Sequence, residues 1–286
     1  MPTNPCTEQP PKPARRWLRF SLRSMLLLVV VIAIPMGWKV NRARNQRVVV
    51  AELQTMHAEI VYDYQIVKVK GGWDYGNLPP PGPIWLTDLL GKEYFFDVYS
   101  VGVWGPYVTD ETLALIAKLP EVADVSIGGQ NRITDGGLAH FAGMHNLEVV
   151  ALYSDRITGT GLVHLAKLKR LKSLCAMGWI NDSSLGHISM LGRLELLNIY
   201  GATQITDEGL AHISKLHNLR KFIIVKSGSA DSEYIQVSDE GLVHLYGLKN
   251  LDELTFSATQ VTQAGIEKLH EALPNCRIEW NGSRIE

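Results

Sequence analysis

The sequence predicts an α/β solenoid: a curved parallel sheet with helices on its outside, preceded by one N-terminal transmembrane helix. Three observations predict it. A segment with a period in the twenties returns along most of the chain. Each copy ends in the same strand-like spacing of apolar residues. One uninterrupted apolar run stands near the N-terminus, apart from the repeats.

The template is ITDEGLAHISKLHNLRKFIIV, residues 205–225. Ile205-Thr206-Asp207 reads as an apolar residue followed by a helix start, with Asp207 expected to cap free backbone N–H groups. Leu210, Ile213 and Leu216 recur three apart, as one face of a short helix requires. Leu219, Phe222 and Ile224 give L-x-x-L-x-L, which puts Phe222 and Ile224 on one face of a strand. Copies begin at Val108, Ile133, Ile157, Ile180, Ile205, Val237 and Val261, at spacings of 25, 24, 23, 25, 32 and 24. The second strand position is Val125, Val150, Leu174, Leu197, Phe222, Leu254 and Cys276. The third is Ile127, Leu152, Ala176, Ile199, Ile224, Phe256 and Ile278. Val98, Val101 and Val103 add one strand ahead of the first copy, so eight parallel strands are expected. Strands ~4.8 Å apart cannot stack flat against helices ~10 Å across, so the sheet is expected to curve with its strands inside.

These units resemble the V/I-T-D-x-G-L-x-x-L class of leucine-rich repeats, found in bacterial proteins and in F-box-type substrate adaptors. The resemblance covers residues 98–280 and implies the fold, while leaving function open.

The net charge of −1 hides an asymmetry. Residues 1–50 hold nine of the 28 Lys and Arg but one of the 29 acidic residues, Glu8. The remainder is acidic, which argues against a nucleic-acid partner.

Residues 1–16 read as a polar, proline-rich tail on the cytoplasmic side. Residues 17–40 read as the anchor. Its apolar core, Met25 to Trp38, is short for a span and resembles a signal-peptide core in length. Trp17 and Trp38, however, bracket ~30 Å of helix, and Trp favours the membrane interface. Pro35 spoils the obvious cleavage site, so an uncleaved anchor is preferred to a cleaved signal. Five cations precede the run and four follow it, which barely orients it; repeats outside the cytoplasm are the expectation. Arg19-Phe20-Ser21-Leu22-Arg23, Gly37-Trp38 and Asn41-Arg42-Ala43-Arg44 resemble the opening of single-pass leucine-rich repeat proteins of planctomycete bacteria. That resemblance implies membrane attachment and an interaction role.

Residues 41–94 read as a juxtamembrane segment and N-terminal cap, and residues 95–286 as the repeat domain. Val48, Leu53 and Met56 are expected on one side of a helix over 41–59. Ile60–Val69 alternates as a strand does, and Gly71–Pro83 is a turn-rich linker. Trp85, Leu86, Leu89 and Leu90 predict a short helix covering the open edge of the first strand. The unit at Ile205 is longer than its neighbours because of Lys226–Gln236, a rim loop that is either functional or merely tolerated. Trp280 is expected to cover the last strand.

No disulfide framework or metal-binding cysteine pair can be made from Cys6, Cys175 and Cys276. Cys276 reads as core and Cys175 as inner face, without a basic neighbour to activate it. His140, His164, His187, His212 and His244 share one repeat position on the outer helices. They read as a consensus feature in preference to a metal or pH-sensing stripe. Asp110, Asp135, Asp182, Asp207 and Asp239 recur at helix starts and read as caps in preference to catalytic carboxylates. No catalytic, metal, cofactor or nucleotide motif is recognisable.

Strand residues between the core positions face inward in three rows. The middle of that face is apolar and aromatic: Trp104, Val149, Tyr153, Met177, Leu196, Tyr200, Ile223 and Val225 are the candidate partner-binding residues. The expectation is a non-catalytic, membrane-anchored protein that binds another protein on its concave face, with no cofactor and no nucleic acid. The alternatives are a substrate adaptor resembling F-box proteins and a metal- or cysteine-dependent hydrolase.

Overall fold

A computed structural model describes residues 22–69, 72–76, 78–178, 180–201, 204–226, 235–257 and 259–285 of the 286-residue chain. Cys6, Trp17, the tail to residue 16 and the insertion residues 227–234 lie outside the described residues. The chain divides into two units, one ending at Arg42 and one beginning at Ala43.

Helix α1, Leu22–Thr55, begins in the first unit and ends in the second. In the first unit its apolar side chains have no protein packed around them. Met25, Leu27, Val31, Ile34 and Trp38 are each more than half exposed. It is the one helix among the described residues long and apolar enough to cross a membrane; a signal sequence meets the same description.

In the second unit the end of α1 buries Ala43, Gln46, Val49, Val50 and Leu53, a stripe spaced three and four apart. Val48 is exposed, which corrects the expected grouping with Leu53. The two are five residues apart, about 140° around the helix, too far for one narrow face. The chain continues through β1 (Glu59–Tyr62), β2 (Ile66–Val69), β3 (Gly72–Tyr75), α2 (Ile84–Leu90) and β4 (Val98–Trp104). A 3₁₀ turn at Asp63–Gln65 splits the expected single strand into β1 and β2. Strand β1 lies antiparallel on β4, with Ile60 opposite Val101, and covers the open edge. The helix predicted to do this, α2, buries none of its residues. A strand satisfies the edge's N–H and C=O groups, which a helix would leave unpaired.

Parallel to β4 follow β5 (Asp124–Gly128), β6 (Val149–Tyr153), β7 (Ser173–Met177), β8 (Leu196–Tyr200), β9 (Lys221–Val225), β10 (Glu253–Phe256) and β11 (Arg277–Trp280). These are the eight parallel strands expected. A short β12 (Ser283–Ile285) returns antiparallel on β11, making ten strands in the sheet. Between strands run α3 (Asp110–Ile116), α4 (Asp182–Ile188), α5 (Asp207–Ile213), α6 (Asp239–Leu242) and α7 (Gln263–Ala272). Two of the connections, Gly137–Gly143 and Thr160–Lys167, are 3₁₀ helices. Each opens on a pair of glycines (Gly136 and Gly137, Gly159 and Gly161), poor formers of a regular α-turn.

Apolar strand positions alternate with half-buried ones, and the buried set joins the helix leucines in one core from Val49 to Ile278. The last strand departs from the expected register. Ile278 stands opposite Leu254 and Trp280 opposite Phe256, so Cys276 precedes the strand. Its N–H bonds to the Leu273 carbonyl, as the Leu251 N–H bonds to that of Leu248. Cys276 therefore takes the first leucine position, two residues before Ile278 where Leu251 stands three before Leu254. Burial pushes its thiol up to about 12.

The repeated aspartates are not the caps. Thr206, Ser238 and Thr262 cap the helices, and Asn181 does so in the unit at Ile180. Asp110, Asp182, Asp207 and Asp239 are each the first helical residue, Asp135 lies in the turn just ahead of its 3₁₀ helix, and all five reach forward to the next repeat. Asp182 accepts the Thr206 N–H at 2.9 Å and its hydroxyl at 2.7 Å. Asp110 holds Thr134, Asp207 holds Ser238 and Asp239 holds Thr262 in the same two-bond manner. Asp135 holds Thr158 and, in addition, the Thr160 hydroxyl. Burial opposes ionisation of Asp135, but the bonds from Thr158 and Thr160 outweigh it and keep the carboxyl below its ordinary range.

This ladder explains the glycine of the T-D-x-G pattern. A Cβ at Gly137, Gly161, Gly209, Gly241 or Gly265 would collide with the aspartate of the preceding repeat. Two units have a larger residue there, Thr112 and Ser184, and neither follows a repeat that supplies the aspartate. Thr112 belongs to the first unit, and Ser184 follows the one unit with Gly159 in place of aspartate. Ser184 Oγ then accepts the Asn181 N–H at 3.1 Å, the donor that is a forward-bonded Thr or Ser N–H at the ladder junctions.

A candidate interaction face on the parallel sheet

Pleating sends alternate residues of β4–β10 away from the core. The parallel register then aligns them into rows. Asp124, Val149, Ser173, Leu196, Lys221 and Glu253 are successive neighbours in one row. Ser126, Ala151, Cys175, Asn198, Ile223 and Thr255 form the next. In the third, Tyr153, Met177, Tyr200 and Val225 stand side by side, and Trp104 pairs with Gly128. The rows are those the repeat spacing predicted.

Three of the predicted residues make direct ring contacts. Trp104 and Tyr153 stack with centroids 6.3 Å apart and planes at 26°. Tyr153 and Tyr200 follow at 6.3 Å and 42°. Trp104 and Tyr153 lie two strands apart, and Gly128 on the strand between makes their meeting possible. A Cβ there would collide with the Trp104 six-membered ring. The glycine leaves a gap, and the indole lies across it. Met177 lies between the two tyrosines by register. Val149 and Leu196 do not adjoin: Ser173 separates them. Ile223 and Val225 extend the apolar area along β9. Trp104 is 47% exposed, and the other seven are half-buried.

Polar groups sit beside this strip. Asn198 Nδ2 donates to Cys175 Sγ at 3.4 Å. Burial raises the Cys175 thiol above its ordinary range, against the pull of the Asn198 and Tyr153 hydrogen bonds. The thiol form is favoured, and no activated nucleophile results. Asn198 Oδ1 is buried and makes no hydrogen bond among the described residues. Toward the C-terminal end Glu253 is paired with Lys221 at 3.0 Å and Arg277 at 2.9 Å. The face thus runs from an aromatic strip to a charged margin.

Elsewhere, a cleft of about 240 Å³ at the starts of the first strands is lined by Asp63, Asp97, Glu121, Glu148 and Arg170. Glu148 binds Arg170 at 2.6 Å and Lys172 at 2.7 Å. Burial opposes its ionisation, and those two cations overcome it, holding the carboxyl below its ordinary range. The five repeated histidines lie half-buried or exposed on the outer side. Among the described residues no cluster of three or more His, Cys, Asp or Glu could hold a metal ion.

Two features went unread in the sequence. Asn146, Asn218 and Asn250 stand immediately before the first strand leucine. Each bonds a carbonyl of the preceding repeat, those of Pro120, Gly192 and His217. Their recurrence was available as a signal. So was Asn281-Gly282, the dipeptide of a tight hairpin, which turns β11 into β12 with both residues at positive φ.

Period, parallel sheet and outer helices are now together on one chain. The fold is a leucine-rich repeat solenoid. No protein-family model and no curated protein sequence matches the chain. Among solved structures, internalin C2 of Listeria monocytogenes is similar at a TM-score of 0.47 and 19% identity, over 64% of this chain and 80% of that one. The Listeria internalin inlF gives 0.40 and 19%, over 58% of this chain and 49% of its own. An LRR protein of Leptospira interrogans gives 0.39 and 14%, over 63% and 47%. The repeat chain thus spans about half the length of the last two.

Proposed function

We propose that this chain is a membrane-anchored, non-catalytic leucine-rich repeat protein that binds another protein on its sheet face. It is of the planctomycete single-pass type, with its repeats outside the cytoplasm. The observation that carries the reading is the Trp104–Tyr153–Tyr200 strip, with apolar Met177, Ile223 and Val225 beside it. Half-exposed aromatic side chains bury large area at low entropic cost, which makes them the usual anchors of protein interfaces. The charged margin at Glu253 suits a polar rim. The exposed apolar length of α1 supports the anchor, since nothing in its own unit covers it.

A photo-reactive phenylalanine at position 153 or 200 of the full chain, in its native membrane, tests the face. Adducts of one common mass at both positions, and none from position 243 on the outer side, are expected. Equal labelling from position 243 counts against the face. An alkaline wash of the membranes, with protease added from outside, tests anchor and orientation. Release into the supernatant or protection of the repeats overturns one or the other.

A further inference from the structure

Helix α2 is at odds with the helices of the repeats. Its sequence, IWLTDLL, is mostly apolar, yet it buries no residue. The repeat helices bury their leucines and isoleucines at 0–5% exposure, as Leu113, Leu185 and Leu210 illustrate. In α2, Ile84 and Trp85 are each 66% exposed and Leu89 71%. Trp85 and Leu89, four apart, share one side of the helix. Leu78, just before it, is 45% exposed. Exposed apolar side chains gathered on one short helix mark a contact surface.

The helix is also fixed in place. Gly91 ends it at φ +83, and a Cβ there would collide with the Arg47 guanidinium. That guanidinium donates to the Leu90 carbonyl and pairs with Glu93 at 3.5 Å. The Tyr62 hydroxyl donates to Glu93 at 3.0 Å, and Lys92 lies 4.3 Å from the Tyr62 ring centroid. Burial, then the Glu93 charge, push the Tyr62 hydroxyl upward, so it remains a donor. The patch is therefore presented on a braced support and is not a fraying end.

We propose that α2 is a second membrane contact: an interfacial element that rests its Ile84, Trp85 and Leu89 side chains in the headgroup and upper acyl region of a phospholipid bilayer. The inference rests on the anchor reading of α1. Three observations favour lipid over a protein as the occupant. Arg47, which holds α2, follows Trp38 by only nine residues in the sequence, a short tether to the apolar run. Lys39, Arg44 and Arg47 in that interval are exposed, and cations there suit anionic headgroups. Trp favours the bilayer interface, and Trp85 stands 66% exposed on this helix.

The test uses the full chain with its own cysteines replaced by alanine, reconstituted in vesicles of phosphatidylcholine and phosphatidylglycerol. A nitrobenzoxadiazole dye is attached to a single cysteine at position 30, 85, 89 or 243, all exposed positions. Brominated acyl chains are expected to quench the dye at 30, 85 and 89 and to spare it at 243, while aqueous iodide shows the converse. Quenching at 30 with iodide-accessible dye at 85 and 89 overturns this inference and leaves the anchor standing. Protection of 85 and 89 from both quenchers overturns it in favour of a protein contact. Loss of lipid quenching at 30 overturns the anchor reading and this one together.

Discussion

The junctions on either side of the unit at Ile180 are built differently, though their strands pair alike. On the side toward Ile205, Asp182 bridges to Thr206 by two hydrogen bonds, and Gly209 makes room for the carboxylate. On the side toward Ile157, Gly159 offers no carboxylate. Asn181 caps its own helix, and Ser184 fills the space that glycine leaves elsewhere. Where the bridge is made, the helix starts of two repeats are coupled through a charged group. Where it is not, each repeat satisfies its own donors, and the sheet and core carry the joint. One position thus holds glycine or a larger residue according to what the repeat before it supplies.

The sharpest way to break this comparison is Gly209→Ala. It is expected to cost about 1–3 kcal/mol of unfolding free energy, because the methyl and the Asp182 carboxylate compete for one space. In an Asp182→Ala background the same change is expected to cost about 1 kcal/mol less, a coupling that a double-mutant cycle in denaturant reads directly. Leu185 Cδ1, at 3.0 Å from the added carbon, is a side-chain tip that can shift. Additive costs would show that the pairing of aspartate with glycine is incidental.

A smaller effect sharpens the comparison from the other side. Gly159→Asp is expected to destabilise by about 1–2 kcal/mol, since Gly159 has φ +84 and the new carboxylate meets Ser184. Adding Ser184→Gly is expected to recover part of that loss by freeing the space and letting the bridge form. A double variant no more stable than Gly159→Asp alone would sink the idea. The smallest effect is local and acid-dependent. The folded Asp135 carboxyl lies below 3.8, so its contribution is present above that value and is lost as pH falls through the folded value. Amide exchange at Thr158, which bonds Asp135, is then expected to gain on exchange at Asn181, which bonds Ser184, below about pH 4. Equal acceleration at both amides would count against it.

The fold was legible because three apolar positions recur at fixed offsets, and period alone sets the strand register from Val101 to Phe256. Register failed at Cys276 because the first leucine position stands two places before Ile278 instead of three, so Cys276 and Ile278 imitate the usual strand pair. The rows of the sheet face followed from the same register. The Trp104–Tyr153 contact did not, because it depends on the residue missing from Gly128, and an absent side chain has no apolar signal. The aspartates were misassigned to their own helices for a related reason. Capping is a local rule, and the group that Asp182 serves lies 24 residues on. Helix α2 was read as a cap because its apolar residues asked for burial, and sequence does not say whether protein or lipid provides it.

The forward bridge also constrains how such an array can change. A unit with both the aspartate and the glycine, like the one at Ile133, can be copied in tandem, because each end fits the other. The unit at Ile157 accepts a carboxylate and hands none on, so moving it ahead of a glycine unit would leave a Thr N–H without its acceptor. The order of single substitutions matters as well. Turning a bridged junction into a self-capped one by replacing the glycine first passes through a clash. Losing the aspartate first costs hydrogen bonds and keeps the packing. The permitted route between the two joints is therefore directional, and lineages of such arrays are expected to lose the acid before they fill the gap.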